Sequence, residues 1–338
     1  MATITSAPDS ARSRHHTIAV LDAPVSAPMF LAARRAGATM LIRLDDDALR
    51  RAAADADVVV VHYWNHPLLL SMLSRVDLGP SRVVVWSMVL GLHSPQVLTA
   101  DIGRFADVLV VTTERSLDSA AARTAEVVRT VPGIADMGRL DGWRPLAHEG
   151  INVGYLGVVA PTKLHPRFTE LCALVRDRSV RFVIVGSGGG EEGLQRRAVE
   201  LGFGDRLRCT GYTDDIATAM GTFDIFGYPL CADTYATSEK ALQEAMWVGI
   251  PPVVFPHGGL IDLVVDGETG LVATTEDGYA EAIDRLAGDD ALRQRLGTNA
   301  RGVARERFDP HRLAAAWSDA LAEALSMPKR ERPPLHEG

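Results

Sequence analysis

The sequence predicts an α/β protein of two doubly wound parallel-sheet domains facing a cleft, and three observations carry that prediction. Short β-branched apolar runs alternate with amphipathic Ala/Arg/Leu-rich stretches, and strands apolar throughout belong to parallel sheets covered on both faces. The pattern runs twice, before and after a stretch rich in proline and glycine. At 338 residues, 47% of them hydrophobic, the chain is too long for one ordinary domain and apolar enough for two cores.

Residues 1–16 read as a flexible polar tail without the apolar stretch of a leader peptide. The first domain, 17–135, is expected to place strands at Thr17–Leu21, Met40–Ile42, Val58–Val61, Val83–Trp86, Val108–Val111 and Val127–Val131. Helical spacing of apolar residues falls between them, as in Pro28–Ala36 and Asp47–Ala56. Residues 136–150 are expected as a linker, because the surrounding sequence has no clear period. The second domain, 151–308, carries strand candidates at Asn152–Leu156, Arg181–Val185, Leu207–Cys209, Asp224–Phe226, Pro252–Phe255 and Leu271–Ala273. A helix over 309–326 follows, with Asp309 as its cap and Pro310 in its first turn, expected to pack back on the first domain. Charged, proline-rich residues 327–338 read as a frayed tail. Ligands of such folds sit at the C-terminal ends of the strands.

Composition narrows the function. With 35 basic against 43 acidic residues the net charge is −8, a sign that does not attract nucleic acid or anionic lipid. No apolar run approaches the roughly 18 residues of a membrane span. The three cysteines, Cys172, Cys209 and Cys231, build neither a disulfide framework nor a zinc pattern, which points to a reducing, cytoplasmic setting. Only three of the basic residues are lysines (Lys163, Lys240 and Lys329), so a lysine kept against such an arginine bias is a candidate for a specific role.

The densest segment runs from Ser238 to Phe255: a helix that stops at Gly249 and passes through Pro251 and Pro252 into a buried strand. Lys240 and Glu244 share nearly one face of that helix, which by itself is most simply a surface ion pair. Downstream, Gly258 and Gly259 follow His257 at a strand-to-helix junction, where bare N–H groups could cradle an anion, although most Gly-Gly pairs are only tight turns. Residues 266–270 read as a turn into the next strand.

These pieces in this order resemble the retaining glycosyltransferases of family 4, which have the GT-B fold of two Rossmann-like domains. The matching segments are Glu244 through Val254, His257-Gly-Gly followed by Asp262, and 266–272, preceded by Val185-Gly-Ser-Gly and by Thr210-Gly-Tyr-Thr-Asp-Asp. The resemblance covers about 151 to 310 and is only loose in the first domain. It implies that Glu244 binds the ribose, that Gly211 and Tyr212 contact the base, and that Lys163 holds the donor diphosphate. Val158 stands where the family's usual arginine would be, so Lys240, Arg167 or a helix N-terminus must supply the missing charge, with Lys240 preferred. The first glutamate of the family's pair falls on Ala236. Asp233 is the candidate to reach the donor sugar instead; Glu239, about 140° around the helix from Glu244, is not a simple substitute but stays a second donor-sugar candidate.

In the first domain, His62 ends an apolar strand and opens an aromatic cluster in which Tyr63 and Trp64 could stack on a ring, a core or lid role for those two being at least as good a reading. His93 resembles the family's cleft histidine. Both are catalytic candidates on the acceptor side, and neither belongs to a Ser-His-Asp pattern. The run from Gly186 to Glu191 begins like a dinucleotide fingerprint but has Glu191 at the third glycine position, so a dehydrogenase is not expected. Asp45–Asp47 and Asp55–Asp57 read as solvated helix ends, and no metal is assigned.

The resulting expectation is metal-independent transfer of a sugar from a nucleotide-diphosphate donor to a hydroxyl of a small soluble acceptor, such as an amino-sugar or cyclitol natural product. The nucleotide sugar is a co-substrate and no cofactor is expected. A nucleotide-sugar epimerase of the same fold, a non-catalytic relative acting as a partner, and a two-domain binding protein stay open. Nucleobase, sugar, acceptor and oligomeric state are not legible.

Overall fold

Two six-stranded sheets, parallel at every strand pairing, organise the chain in the computed structural model. The structure describes residues 16–18, 39–40, 46–64, 67–94 and 96–335. The expected helix at Pro28–Ala36, nearly all of the 1–16 tail, Asp45 and the distal parts of the first two expected strands lie outside them. The chain divides into two units, Met1–Gly133 with Pro310–Gly338, and Ile134–Asp309.

The first unit contains β1 (His16–Ile18), β2 (Thr39–Met40), α1 (Asp46–Asp55), β3 (Val59–Tyr63), α2 (Pro67–Leu73), β4 (Val83–Ser87), α3 (Ala100–Phe105), β5 (Val108–Val111), α4 (Ala120–Thr124) and β6 (Val127–Thr130). The strand order is β2-β1-β3-β4-β5-β6. Side chains alternate across a strand, so β3 to β5 feed two cores. Val59, Val61, Val83 and Val85 pack with Leu49 and Leu69, while Val60, Val84, Trp86 and Val110 pack against Trp317 and Leu321 of α11 (Pro310–Ser326). The helix that covers this second face arrives only after the whole second unit has been traversed.

The expected frayed tail is instead fastened to the first unit through residue 335. Ser81 and Arg330 form an antiparallel bridge, Leu78 N–H donates to the Arg332 carbonyl at 3.0 Å, and Leu335 N–H donates to the Leu73 carbonyl at 2.7 Å. Lys329 Nζ donates to the Ala56 carbonyl at 2.8 Å, so one of the three lysines is structural. The cause is Asp107, buried just before β5. Its carboxylate accepts from Val83 N–H at 2.6 Å, from Arg330 Nε at 2.8 Å and from the buried Arg332 guanidinium, since a buried charge needs partners.

The second unit contains β7 (Ile151–Leu156), α5 (Phe168–Leu174), β8 (Val180–Val185), α6 (Glu191–Glu200), β9 (Leu207–Gly211), α7 (Ile216–Gly221), β10 (Ile225–Tyr228), α8 (Lys240–Val248), β11 (Pro252–Val254), β12 (Leu271–Val272), α9 (Glu276–Gly288) and α10 (Asp290–Arg307). Strand order β12-β11-β10-β7-β8-β9 places the switch point between β7 and β10. Strand β9 runs beyond the expected Cys209 because an irregularity in register pairs Gly211 with Val185. The expected linker, 136–150, lies wholly within this unit. It includes a 3₁₀ turn at Met137–Leu140, and Leu146 N–H donates to the Gly221 carbonyl at 2.7 Å. Its lack of period reflects docking by single residues rather than by a helix face.

Candidate active site

The switch point of the second unit brings together the loops that leave β7 and β10, residues 157–167 and 229–239. The loops are laced to each other. His165 N–H donates to the Pro229 carbonyl and Cys231 N–H to the Lys163 carbonyl, each at 2.9 Å, around an isolated bridge between Leu164 and Leu230. This lacing aims Lys163 inward, 14% exposed, with Nζ 2.9 Å from Glu239 Oε2. The Tyr228 hydroxyl donates to the same carboxylate, and Lys163 Nζ lies 5.7 Å from the centre of the Tyr228 ring. Burial pulls the Lys163 pKa down, but the Glu239 carboxylate more than offsets it and holds the ammonium above the usual lysine value. Burial and then Glu239 push the Tyr228 phenol well up.

Glu239 precedes α8 with φ 26° and ψ 81°, the only non-glycine residue among those described with positive φ. Such a conformation persists only where the surroundings over-determine it. Here Lys163 and Tyr228 fix the carboxylate, so Glu239, expected as a donor-sugar ligand, makes an internal ion pair.

One turn along α8, Glu244 is 2% exposed, and Arg139 Nη1 approaches its Oε1 at 3.4 Å. Burial raises its pKa to about 7, against the opposing pull of Arg139 and Lys240. Lys240 lies at the start of α8, exposed, and among the described residues it forms no ion pair. Arg139 is a site residue that sequence reasoning missed, because it lies in the supposed linker and nothing distinguishes it in an arginine-rich chain. Gln243 holds the residue just before that segment: its Oε1 accepts from Ala135 N–H at 3.0 Å, and its Nε2 donates to the Ser238 carbonyl.

The glycine motifs have structural work. A Cβ on Gly186 would run into the Gly157 carbonyl, and one on Gly188 or Gly190 would meet the Val159 carbonyl, so the run after β8 packs against the loop after β7. Of the two amides of the expected anion cradle at Gly258 and Gly259, one is engaged within the protein. Gly259 N–H is already donated to the Ala236 carbonyl at 2.9 Å, and both glycines are needed for close approach to segment 234–237. Gly211 adopts φ 78°, and Tyr212 beyond it is 68% exposed with its hydroxyl donating to Asp214. Val158, in place of the family's arginine, is exposed, as is Asp233.

In the first unit His93 is exposed in a loop closed by Leu98 N–H donating to the Gly91 carbonyl at 3.0 Å. His62 is 4% exposed and packs edge-on against Trp86 at 4.8 Å, with Trp317 of α11 on the far side of Trp86. That is a core position, and it conflicts with the expected direct contact between His62 and an acceptor. Among the described residues no cluster of three or more His, Cys, Asp or Glu side chains could hold a metal ion.

Strand orders, parallel pairing and the position of the charged cluster define a GT-B fold. The crystal structure of Anabaena Alr3699/HepE in complex with UDP superposes with a TM-score of 0.73 at 15% identity, covering 91% of this chain and 100% of that one, a likeness of fold. Residues 144–303, within the second unit, match the family described as Glycosyl transferases group 1. The lipopolysaccharide core biosynthesis glycosyltransferase LpsE of Rhizobium meliloti is 26% identical over 156 residues, 46% of this chain and 45% of its own length. An exopolysaccharide phosphotransferase of Streptomyces coelicolor is 28% identical over 319 residues, 84% of this chain and 30% of its own length. The chain therefore spans less than half the length of these two curated relatives. No helix among the described residues is long and apolar enough to cross a membrane.

Proposed function

We propose that the chain is a retaining glycosyltransferase of family 4 that moves a sugar from a nucleotide-diphosphate donor to a hydroxyl of a small soluble acceptor in the cytoplasm. The observation that carries this reading is that Lys163 at the switch point and Lys240 and Glu244 on α8 all lie inside the stretch that matches the glycosyl transferases group 1 family, with Arg139, just before that stretch, approaching Glu244. In this reading Glu244 accepts from ribose hydroxyls, Gly211 and exposed Tyr212 meet the base, and Lys240 and Lys163 hold the diphosphate as the glycosidic bond breaks. Asp233 would face the donor sugar, and His93 is the acceptor-side candidate of the first unit. The phosphotransferase chemistry named for the Streptomyces relative is not adopted, because the chain corresponds to only 30% of that protein.

A second reading, a non-catalytic relative, is favoured by one observation: Lys163 is engaged with Glu239 where the family's second cation is replaced by Val158. Calorimetric titration with UDP, GDP, dTDP and ADP, with and without EDTA, separates the two. Binding of one diphosphate, insensitive to EDTA and lost in Lys163→Ala and Glu244→Ala, supports the donor site and metal independence. Absence of binding by all four overturns it.

A further inference from the structure

Lys163 is the buried cation of the switch point, and it already holds an anion. The Glu239 carboxylate sits 2.9 Å from its ammonium and accepts a second hydrogen bond from Tyr228. Tyr235, partly buried on the loop after β10, is the other acidic group acting on that amine. Resting on the donor-site reading above, we infer that Glu239 is a resident anion on Lys163, which the diphosphate of an incoming donor must displace.

Three independent features point this way. A lysine so little exposed that already gives one N–H and much of its charge to a carboxylate has correspondingly less to offer a diphosphate. Glu239 is also the one described non-glycine residue at positive φ, a strained conformation to which the contacts of its carboxylate with Lys163 and Tyr228 contribute support. Finally, Glu239 precedes the first turn of α8 and its carbonyl accepts from Gln243 N–H at 3.1 Å, so exchange asks only the side chain to move and leaves the backbone that starts the helix in place. Anion affinity at this site is then a difference: what the diphosphate gains on Lys163 less what Glu239 gives up. The carboxylate makes the site selective against weak single anions, which lack the charge to displace it.

The test uses the full chain and two probes, inorganic pyrophosphate and the panel of nucleoside diphosphates, in wild type, Glu239→Gln, Glu239→Gly and Tyr228→Phe. Removing the carboxylate should tighten pyrophosphate and nucleotide binding by about tenfold, or 1.4 kcal/mol. Tyr228→Phe leaves every charge in place and loosens only the hold on Glu239, so it should tighten binding two- to threefold even if the Glu239 variants fold poorly. The gain must vanish when Lys163→Ala is added to Glu239→Gln. Binding no tighter than wild type in all three variants, or a gain that persists without Lys163, overturns the inference. Nucleotide bound by wild type with no gain in the variants fails the exchange and leaves the donor reading standing. Pyrophosphate bound with the full pattern but no nucleotide fails the donor reading alone, and no binding of either probe fails both.

Discussion

Replacing Glu244 by glutamine should stabilise the protein at alkaline pH and leave it nearly unchanged in acid. The carboxyl is 2% exposed, and burial raises its pKa from 4.5 to about 7. Between those values the folded chain binds a proton that the unfolded chain has released, so stability falls as pH rises from about 4.5 to about 7 and is flat above. At about 1.4 kcal/mol per pKa unit, the ionised side chain costs about 3 kcal/mol at pH 8 and about 1 kcal/mol at pH 5. Glutamine keeps the shape and does not titrate, so the variant's advantage should grow by about 2 kcal/mol between those two conditions, roughly 5 °C in the melting temperature of a unit this size. Thermal unfolding of wild type and variant at pH 5, 6, 7 and 8 measures it. A pH-independent difference, or a variant that loses stability as pH rises, would refute the assignment of burial as the dominant cause. The same variant should bind nucleoside diphosphate more weakly, a trade of function for stability expected at a site that keeps an ill-satisfied charge.

Arg332→Ala should cost the first unit about 3–5 kcal/mol, because Asp107 would keep a buried charge with one cation fewer; an unchanged melting curve would show the strap to be incidental. Within the second unit, Gly186→Ala should destabilise strongly, through a clash with the Gly157 carbonyl at φ 138°, whereas Gly193→Ala, in open space on α6, should gain about 0.5–1 kcal/mol. Equal effects of the two alanines, read by chemical denaturation, would remove the packing explanation for the glycine run.

The sheets were legible because buried parallel strands announce themselves locally. Val59–Tyr63 and Val83–Ser87 are apolar at nearly every position, and no distant partner changes that pattern. What the sequence concealed were pairings between residues far apart in the chain. Nothing local tells that Arg332 closes on Asp107, that Arg139 ties a supposed linker to α8, or that Gln243 holds Ala135 just before it. Glu239 escaped for a different reason. Helical geometry sets it apart from Glu244, but it lies outside the helix with positive φ, where α-helical angles do not apply. The family pattern located Lys163 and Glu244 as residues of interest; it could not reveal that a carboxylate three positions from the vacant Ala236 would reach the lysine.

Two buried acids of this chain, Asp107 and Glu244, differ in how well their charges are satisfied. Asp107 accepts from a backbone N–H at 2.6 Å and from two guanidinium groups, so its oxygens are well provided with donors and its role ends in holding the strap. Glu244 is equally inaccessible, yet its contact is a single arginine at 3.4 Å, too long for a strong hydrogen bond, and its pKa is lifted accordingly. A carboxylate with four lone-pair sites and one weak partner is costly to bury unless something else donates to it. Nucleotide ribose, with two adjacent hydroxyls, would supply such donors at that position. The stability that burying this carboxylate costs would then return as binding energy, linking the pH dependence of folding to the affinity for the nucleotide.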